Sequence, residues 1–183
     1  TVQVFEHQKM TYEYGHISLS GLSEFSGWPW HLIPVESINQ PTELYFRIYS
    51  DYFFIGLSGE VAIGEESDLL KRVYKRGMTG MVFIVILFVA GILVTTLGII
   101  KRERRIAVST GLLSFDLVLM MFSENELSQV VFYDPLMWRY IAAYSYFLVP
   151  FFLGLVVREW FSGFVARIAV LVCAITALFI AGV

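Results

Sequence analysis

The sequence predicts a membrane protein of two unlike parts: a β-rich extracytoplasmic segment, part of a jelly roll or β-sandwich, followed by an α-helical transmembrane bundle. Three observations predict it. Of 183 residues, 57% are hydrophobic and only 16% charged, where soluble domains carry about 25% charged residues. The long apolar runs that sustain a mean hydropathy of +0.67 fall almost entirely after residue 76. Charge divides at the same place: up to Leu70 there are ten acids against Lys9 and Arg47, a balance of −8, whereas from Lys71 onward eleven bases meet six acids, a balance of +5. An acidic polar front and a basic apolar back are expected of a water-facing segment joined to a membrane domain.

The front, residues 1–70, alternates over short stretches. Residues 43–56 place Leu44, Phe46 and Ile48 on one side and Tyr45, Arg47 and Tyr49 on the other, as in a half-buried strand. Residues 16–22 and 30–36 read as two further strands, with Gly21, Gly27, Pro29, Pro41 and Gly59 at turns. Seventy residues without a disulfide make a marginal core, so the front is expected to be an incomplete part of a larger sandwich. A helix is expected only from residue 65 on, with its N-cap near Gly64 and its end running into the first span through a linker over residues 71–76.

The first span is the strongest signal: 77–100 holds no charged residue over 24 positions, enough for a hydrocarbon core that needs about 20. Lys71, Arg72, Lys75 and Arg76 precede it, and Lys101 to Arg105 follow. Further spans are expected over 106–122, 136–157 and 161–183, within a transmembrane domain 77–183 that continues beyond Val183 in a longer protein. The loop with Lys101, Arg102, Arg104 and Arg105 reads as cytoplasmic, as does the turn with Arg158; the loop with Glu124, Glu126 and Asp134 has no base and reads as external. This places the N-terminus outside, with the cluster Lys71 to Arg76 dissenting. Trp138, Tyr140, Trp160 and Phe161 fall at span ends as an interfacial belt, and Pro150 is expected to bend the third span.

Ionisable residues inside spans are functional candidates by default. Asp116 and Arg139 qualify, and a pair across neighbouring helices would hold the bundle or gate a signal. The plainer readings are an aqueous crevice reached by Asp116 and an Arg139 that snorkels to the interface. In the front, Tyr12, Tyr14, Trp28 and Trp30 are candidates for a ligand platform, since such rings combine an apolar face with polar edges; aromatic residues in strands are more often core. His7, His16 and His31 have no metal-binding spacing, and no phosphate loop or hydrolase elbow is present. No metal, cofactor or catalytic residue is therefore expected. The lone Cys173, inside an apolar run, reads as an inert buried thiol. The acidic front excludes nucleic acid as a partner.

The order of these features carries a resemblance. A strand of the form LYFRIYSDYFFIGLSGEVAIG, with Leu44, Tyr45, Arg47, Ile48, Ser50, Gly56, Ile63 and Gly64 at the matching positions, precedes a charged linker and several spans, the first followed by the basic loop KRERR. This resembles the bacterial seven-transmembrane receptors with diverse intracellular signalling modules. The resemblance implies an outer jelly-roll sensor for a small ligand such as a carbohydrate, and spans that relay a signal through the bacterial inner membrane to a cytoplasmic output lying outside this chain. It makes Arg47, Lys71, Arg72, Lys75 and Arg76 candidates for signal coupling, and the bilayer, the ligand and a second copy of the chain the expected partners. A transporter or membrane-enzyme subunit using Asp116 and Arg139, or a membrane anchor, are the alternatives.

Overall fold

The computed structural model describes residues 1–6, 8–15, 26–35, 43–49 and 60–182. The chain divides into two compact units, Thr1–Leu70 and Lys71–Val183.

In the first unit, β1 (Val2–Glu6), β2 (Lys9–Tyr14) and β3 (Leu44–Ile48) form an antiparallel sheet in the order β2-β1-β3. The hairpin β1–β2 is additional to the strands expected above, although Val2-Gln3-Val4 and Thr11-Tyr12-Glu13-Tyr14 already alternate. Register puts one set of side chains on one face: Val2, Val4 and Glu6 stand opposite Ile48, Phe46 and Leu44, as the alternation in β3 predicts. On the other side Val2 and Val4 stand opposite Tyr14 and Tyr12. Val4, 1% exposed, is the centre of this face. A bulge after Val4 shifts the register by one residue, and the Thr11 hydroxyl donates to the Val4 carbonyl at 3.2 Å.

One expectation needs correction here. Residues 30–35 carry no strand; among them His31 lies against Tyr12 and Tyr14 of the sheet. The N-cap of the following helix is Glu65, next to Gly64 where a cap was expected: the Glu65 carbonyl accepts from Asp68 and Leu69 at 3.0 Å. The strand expected over 16–22, with His7, His16 and residues 50–56, lies outside the described residues. The sheet is one layer of three strands, and a jelly roll is not seen among the described residues.

In the second unit the expected helices form. α1 (Glu66–Ile100), whose residues before Lys71 fall in the first unit, is a single helix of 35 residues with Glu66 and Asp68 in its first turn, where acids complement the helix dipole. α2 (Arg104–Ser123) and α4 (Pro135–Trp160) correspond to the second and third expected spans, joined through the one-turn α3 (Ser128–Val131). α1, α2 and α4 are each long and apolar enough to cross a membrane. α5 (Phe164–Gly182), the expected fourth span, is a shorter apolar helix over Phe164–Leu178, the part whose side chains are described.

Local chemistry sets the helix ends. Asp134 caps α4, its Oδ1 accepting from the Met137 amide at 2.9 Å, and Pro135 occupies the first turn where its missing N–H costs nothing. Pro150 sits within α4, which continues through it. Between α1 and α2, the Glu103 amide reaches back to the Gly98 carbonyl (2.9 Å) and the Arg102 amide to that of Ile99 (3.2 Å). This is a Schellman closure with Arg102 at the left-handed position, φ 64°, usually filled by glycine.

Candidate functional sites

On the sheet of the first unit, Tyr12 and Tyr14 point to the same face, two residues apart on β2. His31, from the extended segment, lies against both. The Tyr12 hydroxyl is 2.9 Å from His31 Nδ1, and the ring centroids of Tyr12 and Tyr14 lie 5.5 and 4.8 Å from the imidazole. The Tyr14 hydroxyl donates to the Ser26 carbonyl at 2.6 Å. Two tyrosines thus fasten residues 26–35 onto the sheet. Burial holds the His31 pKa below its ordinary value. A neutral imidazole accepting from Tyr12 at Nδ1 fits that environment.

Of the four aromatic candidates, the sheet brings Tyr12 and Tyr14 together and commits them to this fastening. Trp28 and Trp30 fall on the fastened segment, Trp28 exposed at 65% and Trp30 half-buried. His31, set aside as a metal ligand, proves to be the residue around which the cluster is built. Its position opposite two tyrosines on a strand 17 residues earlier has no local signature. Among the described residues no group of histidine, cysteine and carboxylate side chains could hold a metal ion.

In the second unit, α1 and α2 approach along a seam of small residues. Gly77, Ile84, Gly91 and Gly98 recur every seven positions on α1, and Ala107, Gly111, Ser114 and Val118 follow a four-three spacing on α2. A Cβ placed on Gly91 would lie 2.6 Å from Ser114 Oγ, and one on Gly98 or Gly111 would collide with Ala107 or Thr95. Hydroxyls lace the seam: Ser114 donates across it to the Leu87 carbonyl (2.9 Å), while Thr95 donates to its own helix at Gly91 (2.8 Å). Close backbone approach through small residues, with Ser and Thr as donors, is how helices associate without a hydrophobic driving force.

At the Gly77 end of this seam the loop after α2 clasps α1. Asn125 Nδ2 donates to the Gly77 carbonyl at 3.0 Å, while its Oδ1 accepts from the Leu127 amide at 2.9 Å. Leu127 packs where a Gly77 side chain would be. Arg76 and Glu126 add an ion pair at 3.9 Å, both half exposed, a geometry worth little by itself. Of the coupling candidates, Lys71, Arg72, Lys75 and Arg76 therefore share the exposed start of α1, Arg76 reaches this loop, and Arg47 lies in the first unit on β3 opposite Gln3. Asn125 and the glycine seam escaped the sequence reading; the seven-residue glycine spacing was the available signal.

Asp116 is 3% exposed, on the α2 stripe that also holds the buried Ser109 and Ser123 seven residues to either side. Its interhelical partner is Ser145 of α4, and its Oδ2 has no hydrogen bond among the described residues. Arg139 lies six residues before Ser145, about 9 Å along the helix, and no ion pair joins it to Asp116. Of the alternatives for these two residues, the Asp–Arg pair does not form; Asp116 lies beside Ser145 instead, a small buried residue that the register of α2 against α4 brings to its level. Farther along α4, Cys173 of α5 donates to the Phe151 carbonyl at 3.3 Å and fills the space over Gly154, as a buried thiol.

Compared with known protein families, characterised proteins and solved structures, the chain matches none.

Proposed function

We propose that the chain is the membrane-entry part of a bacterial inner-membrane signalling receptor. Its N-terminal unit would face outward and take up a small ligand such as a carbohydrate, and its helices relay the binding event to an output module outside this chain. The observation that carries the reading is α1. As one uninterrupted helix of 35 residues it is about 52 Å long, against a hydrocarbon core of about 30 Å. Its first eleven residues, 66–76, thus extend the same rigid rod beyond the apolar part, which suits transmission of rotation or piston movement. The Asn125 clasp at Gly77 gives that movement a point at which to be felt by α2 and α4. The basic loop between α1 and α2 supports the orientation.

In this reading Lys71, Arg72, Lys75 and Arg76 place the coupling helix at the headgroup level, Trp28 and Trp30 offer aromatic faces to a sugar, and a second copy of the chain is the natural partner for a rotating helix. No catalytic role is assigned. The test is a Gly-Gly insertion after Arg72 in the full-length protein, alongside a sugar panel read by tryptophan fluorescence. The insertion is expected to leave the fluorescence response intact and abolish hydrogen-exchange changes at residues 77–84. Changes that persist through the insertion would overturn the coupling role of α1.

A second reading rests on Asp116, whose unpartnered oxygen is suited to carry a proton or cation through a transporter or membrane-enzyme subunit. Asp116→Asn in proteoliposomes separates the two: loss of an ion flux would favour transport.

A further inference from the structure

At the end of the second unit that holds the turn between α1 and α2, a crevice of about 390 Å³ opens between α2 and α4. It is lined by Arg104, Arg105, Val108 and Ser109 from α2 and by Arg158 and Glu159 from α4. Three guanidinium groups face one carboxylate, and that carboxylate is already taken: Arg158 binds Glu159 through two nitrogens, at 2.6 and 3.1 Å. Arg104 and Arg105 have no ion-pair partner among the described residues. Ser109 is 8% exposed, and its hydroxyl takes no hydrogen bond from any described residue. Glu103 supplies no side-chain cap, so the first-turn amides of α2 add positive potential at the same place. An open crevice with two unpaired guanidinium groups and the hydroxyl of a largely buried serine is chemically matched to a phosphoryl group, which accepts bidentate hydrogen bonds from Arg and single ones from Ser.

We infer that this crevice binds the phosphate of an anionic phospholipid, held by Arg104 and Arg105 with Ser109 as an additional donor. A lipid rather than a free anion is favoured by what adjoins the crevice. Val108 also borders a second groove of about 320 Å³ between α1 and α2, whose walls include Ile92, Leu112 and Phe115 and are almost wholly apolar. Headgroup and acyl chain thus each have a matching surface, with one residue in common. The site lies where α2 begins and α4 ends, the level at which lipid phosphates sit against membrane helices. It is independent of any ligand of the first unit.

The test uses the full chain in nanodiscs of phosphatidylcholine alone or with a minority of phosphatidylglycerol, with retained lipid read by native mass spectrometry. Selective retention of phosphatidylglycerol is expected, weakened about fivefold for each of Arg104→Gln and Arg105→Gln. Glu159→Gln, which releases Arg158, is expected to tighten it. Lys101→Gln, outside the crevice, is expected to leave it unchanged, and thermal unfolding of all variants in phosphatidylcholine alone serves as the folding control. Equal retention of the two lipids would overturn the site. So would a Lys101→Gln loss as large as that of Arg104→Gln, which would reduce the effect to general surface charge. Displacement of the lipid by millimolar inorganic phosphate would overturn the lipid assignment in favour of a soluble anion.

Discussion

The two units use polar side chains for opposite purposes. In the first, the apolar Val4 at the sheet centre is buried, and polar groups fasten a segment to the sheet: Tyr12 to His31 and Tyr14 to the Ser26 carbonyl. In the second, the apolar surface is turned outward, with Phe83, Ile86, Leu93 and Ile100 all more than half exposed, and the interior is where the small and polar residues lie. Ser109, Ser114, Asp116, Ser123, Ser128 and Ser145 are all buried. Burial of apolar area drives association only where the alternative is water; between helices in lipid, closeness of backbones and interhelical hydrogen bonds take its place.

The comparison breaks most easily at the glycine seam. Gly91→Leu places a branched side chain where even a Cβ would lie 2.6 Å from Ser114, and α1 and α2 must separate to admit it. The expected cost is about 3 kcal/mol, read as a loss of thermal stability and of disulfide crosslinking between engineered cysteines at 87 and 114. An equally apolar change on the lipid-facing side, Ile92→Leu, is expected to cost almost nothing. If both were tolerated, the seam would not be what holds α1.

Next in size is Asn125→Ala, which removes one bond to the Gly77 carbonyl and one from the Leu127 amide. About 2 kcal/mol is expected, since each net bond is worth about 1 kcal/mol. Hydrogen exchange should show α3 and the loop loosening before α2 itself. Arg76→Gln, which removes only the half-exposed ion pair, is expected to have less than half that effect.

The same comparison explains what could be read from sequence alone. The helices were legible because a run such as 77–100 without a charge has few other uses, and the expected spans fall inside α1, α2 and α4 with boundaries set by visible caps such as Asp134-Pro135. β3 was legible from alternation. The rest was not, for a physical reason: Tyr12 meets His31 and Asn125 meets Gly77 through contacts 19 and 48 residues apart, and nothing local marks either partner. Residues 30–35 misled because a segment held against a sheet through one residue, here His31, can alternate like a strand without joining the hydrogen-bond ladder. Asp116 stood out as an ionisable residue within a span, but its neighbour did not, since helix register decides whether it meets Ser145 or Arg139.

The fastening in the first unit is sharpened by pH. The His31 pKa is lowered in the folded chain, so the unfolded chain binds the proton more tightly. Its contribution to stability is full above the ordinary value of 6.5 and is lost as pH falls from there through the lower value of the folded chain. Acidification from neutral should therefore loosen residues 26–35, visible as a change in Trp28 and Trp30 emission. His31→Phe is expected to remove that pH dependence. Tyr12→Phe should cost about 1 kcal/mol at neutral pH. The helical unit, with no histidine, should show no matching transition over this range.

The smallest expected effect has the opposite sign. Arg102 holds φ 64° at the closure of α1, where a side chain is strained and glycine is not. On backbone grounds Arg102→Gly should stabilise the hairpin by about 0.5 to 1 kcal/mol, the size seen when strain at such a position is relieved. Loss of one of four bases in the loop opposes this little, because Arg102 has no ion-pair partner among the described residues. A thermal unfolding comparison with Arg102→Ala decides between the two causes. Alanine removes the charge but keeps the strain, so it should leave stability unchanged while glycine raises it. If alanine and glycine stabilised equally, relief of charge repulsion, not backbone geometry, would set the behaviour of this turn. A rise with glycine alone would mean that the sequence keeps a strained arginine there for its charge, as expected if the basic loop serves to fix orientation.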